Sequence, residues 1–413
     1  VTSVVERVLP ERLGRPFRWL ASSSWVSNLG DGIVMAAGPL LVASLTDDAR
    51  LVALAATLQW LPPLLFSLLA GVVSDRVSRW HVMLAGNLVR VVVLVVLATA
   101  ILTGAVSIVV VLAVLFLLGC AEVFVDNTSA TLVPMLVRRQ DLAVANSRVM
   151  AGFVTLNQLA GPPIGAALFA AAHVVPYATQ IVLLLGALAL LAKVRLPPVE
   201  RPAERRHVRH DLAEGLRWAA RHPAVRTLVL TIFIFNITFG AAWSVLVLYA
   251  QRQLGLDEIG FGLITTMNAV GGLLGTACYG WLTTKVTLGN LMRIGLIIET
   301  LTHAALALTH TPWVAMVIFV VFGAHAFVWG TTSVTIRHRA VPPELQGRVT
   351  GVNSLGVFGG LVVGSALGGA LAERYDVATP FWFAAVGSAV FVVVIWRQLR
   401  HIAHDDDPLP AES

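Results

Sequence analysis

Asp31 is the residue of this chain with the sharpest chemical demand. It stands in the string S-N-L-G-D-G-I at 27–33, near the middle of an apolar run at 18–44. Holding an ionisable side chain at mid-bilayer depth costs roughly 2.5–3.5 kcal/mol on insertion scales, so such a residue marks a functional site by default. Gly30 and Gly32 flank it and leave room for a partner, a water or a substrate. A carboxylic acid that gains and loses a proton there is what proton coupling requires. The competing reading is a structural Asp that caps a broken helix or pairs with a fixed Arg.

Other polar groups fall inside apolar runs. Glu122 and Asp126 are four residues apart in the fourth run and share a helix face. Glu122 lies deeper and suits a cavity carboxylate. Asp126, two turns before Pro134, suits a gate paired with Arg79 or Arg90. Arg90, two to three turns into the third run, is expected in an internal ion pair with a carboxylate above it; an anion site for substrate comes second. Glu299 and His303 repeat the four-residue spacing in the ninth run, and His325 lies mid-run in the tenth. A lone His is more often a packing residue than a proton carrier. Asn236 and Asn268 can hydrogen-bond between helices. Asp31, Glu122 and Glu299 are thus the proton-coupling candidates. Asn236 and His325, with the aromatics Trp25, Trp243 and Trp329, are the cavity and substrate candidates; Phe235, Phe239 and Phe327 accompany them. Bulky apolar ligands suit such rings, although most rings in a membrane protein pack helices or face lipid.

Several chemistries are excluded. There is no H-E-x-x-H, phosphate-binding G-x-x-x-x-G-K-[ST] or G-x-S-x-G string. The two lysines, Lys193 and Lys285, sit near ends of apolar runs, which disfavours a Ser-Lys pair. No enzyme is expected. Cys120 and Cys278 lie inside apolar runs and imply neither a disulfide framework nor a thiolate metal site. His207 and His210 lack further ligands, so no metal is expected and both read as solvated.

The elements that position these groups follow from composition. Of 413 residues, 57% are hydrophobic and 13% charged, against about 25% charged in average soluble domains. The apolar residues fall in runs long enough to cross a bilayer, which takes ~20 residues. The runs are 18–44, 51–74, 82–102, 106–127, 147–172 and 176–193, then 225–250, 259–281, 288–308, 312–335, 349–371 and 380–396. The expected fold is an all-α polytopic membrane protein with twelve transmembrane helices in two bundles of six. The expected domains are a first bundle at 1–194, a cytoplasmic linker at 195–224, a second bundle at 225–398 and a disordered tail at 399–413. In the linker, Leu212, Leu216 and Ala219 fall at helical spacing and predict a short amphipathic helix. No cleavable signal peptide is expected ahead of the first run.

With both termini cytoplasmic, almost all of the 29 Lys and Arg residues fall in cytoplasmic segments, while Asp47, Asp48, Asp257, Glu258, Glu373 and Asp376 fall outside. The net charge of +6 is therefore topological and makes no case for nucleic acid. The halves also repeat. Shifting by 207 residues carries Asn146 onto Asn353 and Gly161 onto Gly368, as transporter halves related by duplication do.

Between the second and third runs, residues 71–79 read G-V-V-S-D-R-V-S-R. Gly71 lets helices approach closely, Asp75 accepts hydrogen bonds or pairs with a cation, and Arg76 and Arg79 hold the loop on the cytoplasmic side. A worn copy, G-W-L-T-T-K at 280–285, has Thr284 in place of the Asp and Lys285 in place of the first Arg. The string L-A-G-P-P-I-G at 159–165 predicts a kinked fifth helix with a small-residue face at Gly161, Pro162 and Gly165. Gly359, Gly360, Gly364, Gly368 and Gly369 repeat that face in the eleventh run.

The spacing Gly71, Asp75, Arg76, Arg79 resembles the signature loop of the major facilitator superfamily, with Trp80 where another basic residue often stands. The strings F-R-W-L-A-S-S-S-W-V-S-N-L-G-D at 17–31, L-V-P-M-L-V-R-R-Q-D-L-A-V-A-N at 132–146 and E-G-L-R-W-A-A-R-H-P at 214–223, with Asn87 and Arg90, resemble its bacterial branch of macrolide-efflux and enterobactin-exporter proteins. The 159–165 string resembles the Gly-Pro motif of helix 5 in the exporters, departing from it at Pro163 and Ala166. The resemblance implies two six-helix domains around a cavity lined by helices 1, 4, 7 and 10, which carry Asp31, Glu122, Asn236 and His325. It implies alternating access and export driven by proton entry, with no cofactor. The gating set is then Gly71, Asp75, Arg76, Arg79, Arg90 and Asp126. The expected function is proton-coupled efflux of a hydrophobic drug, secondary metabolite or siderophore from a bacterium, as a monomer in the plasma membrane. The alternative is an importer or uniporter on the same fold.

Overall fold

A computed structural model describes Glu6, residues 9–194 and residues 208–398, without the side chains of Asp75 and residues 208–211. The described residues form helices and no strands. In hydrocarbon every backbone N–H and C=O must be satisfied internally, and a continuous apolar run does this as a helix. The first six spans are α1 (Arg15–Leu45), α2 (Ala49–Arg76), α3 (Arg79–Leu102), α4 (Ile108–Leu136), α5 (142–171) and α6 (Val175–Leu191). A linker helix, Val208–Arg221, precedes α7 (Pro223–Trp243), α8 (Glu258–Lys285), α9 (Leu288–Leu308), α10 (Pro312–Ala340), α11 (Gln346–Arg374) and α12 (Thr379–Ile395). Nine of these are long and apolar enough to cross a bilayer; α6 and α12 are shorter apolar helices. The α5 span is Leu142–Gly152, a π-helical stretch Phe153–Ala160 and Gly161–Ala171. Pro162 offers no N–H to the preceding turn, and the Gly161 N–H bonds back to the Leu156 carbonyl, five residues away.

The chain divides into two compact units. The first holds residues 1–47, 61–205 and 257–266; the second holds 48–60, 206–256 and 267–413. The units thus differ from a plain division into halves, since the start of α2 belongs to the second and the start of α8 to the first.

In the first unit α1 is gripped by α5 and α6. A Cβ on Gly32 would lie 2.2 Å from the Asn157 carbonyl oxygen, one on Gly161 2.5 Å from the Gly32 Cα, and one on Gly165 2.1 Å from the Ile33 carbonyl oxygen. Backbone meets backbone here because none of the three has a side chain. The second unit repeats the device between α7 and α11, where Cβ atoms on Gly364 and Gly368 would fall 2.2 Å and 2.1 Å from the carbonyl oxygens of Ile237 and Ala241.

Four sequence expectations are corrected. The loop at 71–79 shrinks to Val77 and Ser78, because α2 stays helical through Arg76. Gly71 therefore sits in a helix, and a Cβ there would meet nothing within 4 Å; it serves no close approach in this structure. Replacing it should recover helix propensity, so Gly71→Ala is expected to gain about 0.5–1 kcal/mol in a detergent melt. A clear fall in melting temperature would show that a neighbour packs there.

The linker helix buries Gly215 and Ala219, with Ala219 against Val225, Val341 and Val349, and leaves Leu216 57% exposed. Gly215 lets the helix lie directly on the Arg348 backbone, which turns Leu216 outward. An Arg348 Nη1–Glu214 Oε1 ion pair of 2.9 Å holds it. The seventh span breaks after Trp243 and continues as Leu246–Leu248 and a π turn, Tyr249–Gln253. His207, the His210 side chain and the tail at 399–413 lie outside the described residues.

Candidate functional site

A charged pair is buried in the first unit. Arg90 of α3 is 2% exposed, and its Nη2 bonds Asp31 Oδ1 of α1. Its Nη1 donates to Ser27 Oγ and Asn87 Oδ1, each at 3.2 Å. Gln180 of α6, also 2% exposed, donates to Asp31 Oδ1 at 3.0 Å, and the Ser27 hydroxyl lies 3.4 Å from Asp31 Oδ2. Local spacing sets half of this. Ser27 and Asn87 stand one helical turn from Asp31 and Arg90, so each helix brings its own hydrogen-bonding neighbour. The other half is tertiary: the glycine contacts with α5 set the depth of α1 beside α3 and α6.

The network is incomplete. Arg90 Nε and Gln180 Oε1 are buried without a hydrogen-bond partner among the described residues. A partly satisfied buried network is costly, and it has hydrogen-bonding capacity left for a second arrangement. Removing one member of a buried ion pair costs about 3–5 kcal/mol, because a charge is stranded.

Glu122 and Asp126 of α4 lie within electrostatic reach of both Asp31 and Arg90. Glu122 is half-buried and makes no hydrogen bond among the described residues. Asp126 is exposed and pairs with neither Arg79 nor Arg90, which corrects that expectation. Arg90 is committed to Asp31, and Arg79 Nε donates to Thr131 Oγ1 of α4 at 3.0 Å. Beside it, the Ser74 and Thr128 hydroxyls join α2 to α4 at 2.7 Å. Arg76 is exposed, and the Asp75 side chain lies outside the described residues. Trp25 is a packing residue: Nε1 donates to the Arg148 carbonyl at 3.1 Å, and the ring fills the space left by Gly152.

The second unit holds a different polar group. Glu299 and His303 are buried on α9, and His303 Nδ1 contacts the Glu299 carbonyl oxygen at 2.8 Å. Antiparallel to them on α10, His325 and Trp329 pack over Gly295. Both ring nitrogens of His325 and Nε1 of Trp329 are buried without a partner among the described residues. Phe322 stands edge-on to both imidazoles, 5.8 Å from His303 and 5.3 Å from His325. Trp243 and Phe239 of α7 stack on each other at 4.7 Å and on Phe322. Asn236 Nδ2 bonds the Ile232 carbonyl of its own helix at 2.7 Å. This group is aromatic, with Glu299 as its acid and no Lys or Arg among the residues named, whereas the first unit's group is an ion pair. No cluster of three or more His, Cys, Asp or Glu suited to a metal ion occurs among the described residues.

The structure thus unites Asp31 with Arg90 and brings His325, Trp329 and Trp243 around Phe322. Sequence reasoning missed Ser27, Gln180 and Asn157. Ser27 was visible as the i−4 neighbour of Asp31. Gln180 gave no signal, standing near one end of its apolar run. Asn157 donates to the Asn28 carbonyl at 3.3 Å from the π stretch, whose phase no α-helical period reports.

Residues 13–410 match the family model of transmembrane secretion effectors. The chain is 24% identical over 389 residues to an enterobactin exporter of Citrobacter koseri, covering 92% of this chain and 89% of that protein. It is 26% identical over 368 residues to the enterobactin exporter of Shigella boydii serotype 4, covering 86% and 85%. Among solved structures, a bacterial homologue of the iron transporter ferroportin matches with a TM-score of 0.76 at 15% identity, covering 93% of this chain and 98% of that one. The nucleoside transporter NupG matches at 0.71 and 13%, covering 94% and 98%. A bacterial homologue of the lysosomal transporter Spinster matches at 0.71 and 15%, covering 97% and 99%. At such identities the structures speak for the fold alone.

Proposed function

We propose that this chain, which belongs to the transmembrane secretion effector family of the major facilitator superfamily, exports a bulky small molecule in exchange for protons. The observation that carries the reading is the buried Asp31–Arg90 pair, a carboxylate whose protonation strands a cation only 2% exposed. A proton arriving at Asp31 releases Arg90, and the freed guanidinium needs a new partner. Glu122 is the acid poised to receive it, and alternating access is the rearrangement that follows. The α2–α3 junction acts as the gate, and Glu299 provides a second protonatable group. Trp243, Phe239, Phe322 and Trp329 suit a bulky apolar cargo such as a hydrophobic drug, a secondary metabolite or a siderophore. The direction, outward, is supported by the two exporters it resembles in sequence. The protein works as a monomer with both termini in the cytoplasm of a bacterium, and the proton gradient alone powers it.

The test is efflux from cells expressing the chain, with enterobactin, lipophilic dyes and macrolides as probes and an uncoupler as control. Efflux that stops on adding the uncoupler is the expected result. Accumulation of a probe inside the cells above the vector control would instead support import.

A further inference from the structure

In addition to the Asp31–Arg90 pair, a set of buried polar groups lies between α9 and α10 of the second unit. Helical spacing puts its members in register. On α9, Gly295, Glu299 and His303 follow at four-residue steps and share a face. On α10, Phe322, His325 and Trp329 stand three and four residues apart and share another. The two helices run antiparallel, and contacts fix both ends of the shared face. A Cβ on Gly295 would lie 2.8 Å from Trp329 Cδ1 and 3.6 Å from His325 Nδ1, and the His303 ring stands 5.8 Å from that of Phe322. Glu299 is midway between Gly295 and His303, so it stands opposite His325.

The chemistry of this face is unfinished. The buried Glu299 carboxyl makes no hydrogen bond or ion pair among the described residues, and both ring nitrogens of His325 are buried without a partner. Trp329 Nε1 already carries a hydrogen and only donates. His303 Nδ1 meets the Glu299 backbone carbonyl at 2.8 Å; a carbonyl only accepts, so that nitrogen carries a hydrogen too. Its Nε2 remains free, but His303 lies one turn along α9 rather than across from Glu299. No other ionisable side chain among the described residues is placed to face the two. α12 has none, and α7 has only Arg226 in its first turn. Arg293 is turned to Trp396 at 5.5 Å. Tyr279 of α8 meets Thr332, seven residues from His325, and Arg337 stands twelve residues from it along α10.

We propose that His325 accepts the proton of Glu299, so that the second unit carries a proton-transfer pair of its own. The O–H bond of the acid breaks, an N–H bond forms on the bare imidazole nitrogen, and the carboxylate keeps the electron pair. The product is a carboxylate beside an imidazolium, and the reverse transfer restores two neutral groups. Glu299 reaches across by changing rotamer. The two groups are unpaired in this structure and paired on transfer, which gives α9 and α10 two arrangements between which a proton selects. The part of the pair in transport rests on the proton-coupled export proposed above; the pairing itself does not.

The test is an infrared titration of the purified full chain in detergent. The carboxylic acid C=O band of Glu299 is assigned as the one lost in Glu299→Gln, and its pH midpoint is then read in variants. Directly interacting titratable groups couple by about one pH unit or more, so His325→Gln should move the midpoint by that much. His310→Gln, at an exposed histidine between α9 and α10, should leave it in place. Coupling is reciprocal, so the imidazole signals of His325, followed by NMR in chain carrying isotope-labelled histidine, should shift their midpoint equally in Glu299→Gln. That second arm decides the matter if His325→Gln does not fold. Unmoved midpoints would overturn the pair. A midpoint moved by His303→Gln and not by His325→Gln would overturn it in favour of His303. Both arms are read without transport, so their failure is distinct from a failure of the export assay.

Discussion

Asp31→Asn is expected to lower uncoupler-sensitive transport by at least about tenfold and stability by about 3 kcal/mol. The Asn side chain still offers an oxygen to Gln180 and Arg90, so the hydrogen bonds largely survive. What is lost is the charge that balances a guanidinium 2% exposed. The paired variant Asp31→Asn/Arg90→Gln removes the stranded cation as well. Replacing a buried pair by neutral groups is often neutral in stability, so the double variant should melt close to wild type. Transport should stay lost, because the proposed proton carrier, Asp31, is then absent. Melting in detergent and efflux of the transported compound, run on all three proteins, separate the roles. Transport restored in the double variant would make the pair purely structural. Transport retained in Asp31→Asn would move coupling to Glu122 or Glu299.

Gly165→Ala should be nearly as damaging through a different route. The added methyl would sit 2.1 Å from the Ile33 carbonyl oxygen and 2.8 Å from its carbon. Both are backbone, so no side chain can swing away and α1 must move. Overpacking of this kind costs typically about 1–3 kcal/mol, and contacts with backbone fall at the upper end. Ile33 is two residues from Asp31, so the shift also misaligns Asp31 with Arg90, and transport should fall with stability. Gly330→Ala, also within a helix and with nothing within 4 Å of a Cβ, is the control and should melt at or slightly above wild type. A wild-type melt for Gly165→Ala would mean that α1 and α5 do not touch through backbone.

The same residues show where sequence reading ends. Asp31 and Arg90 stood out because each is ionisable within an apolar run, and their pairing followed from the cost of burying either alone. Asp126 stood out for the same reason, yet it is exposed and unpaired with either arginine. A four-residue spacing says that Glu122 and Asp126 share a face, and not which face. Gly71 and Gly165 look alike in sequence, as small residues in apolar helices. One touches nothing and the other touches the backbone of α1.

The helices and their order were legible in the amino-acid string because their cause is local. Inside a bilayer each segment must satisfy its own backbone, so hydropathy along the chain reports the spans. Which polar groups meet has no local cause and emerges only when the helices pack. Asp31 finds Arg90 across 59 residues and Gln180 across 149. Those meetings depend on the depth and rotation of α1, which are set where Gly32, Gly161 and Gly165 let two backbones touch.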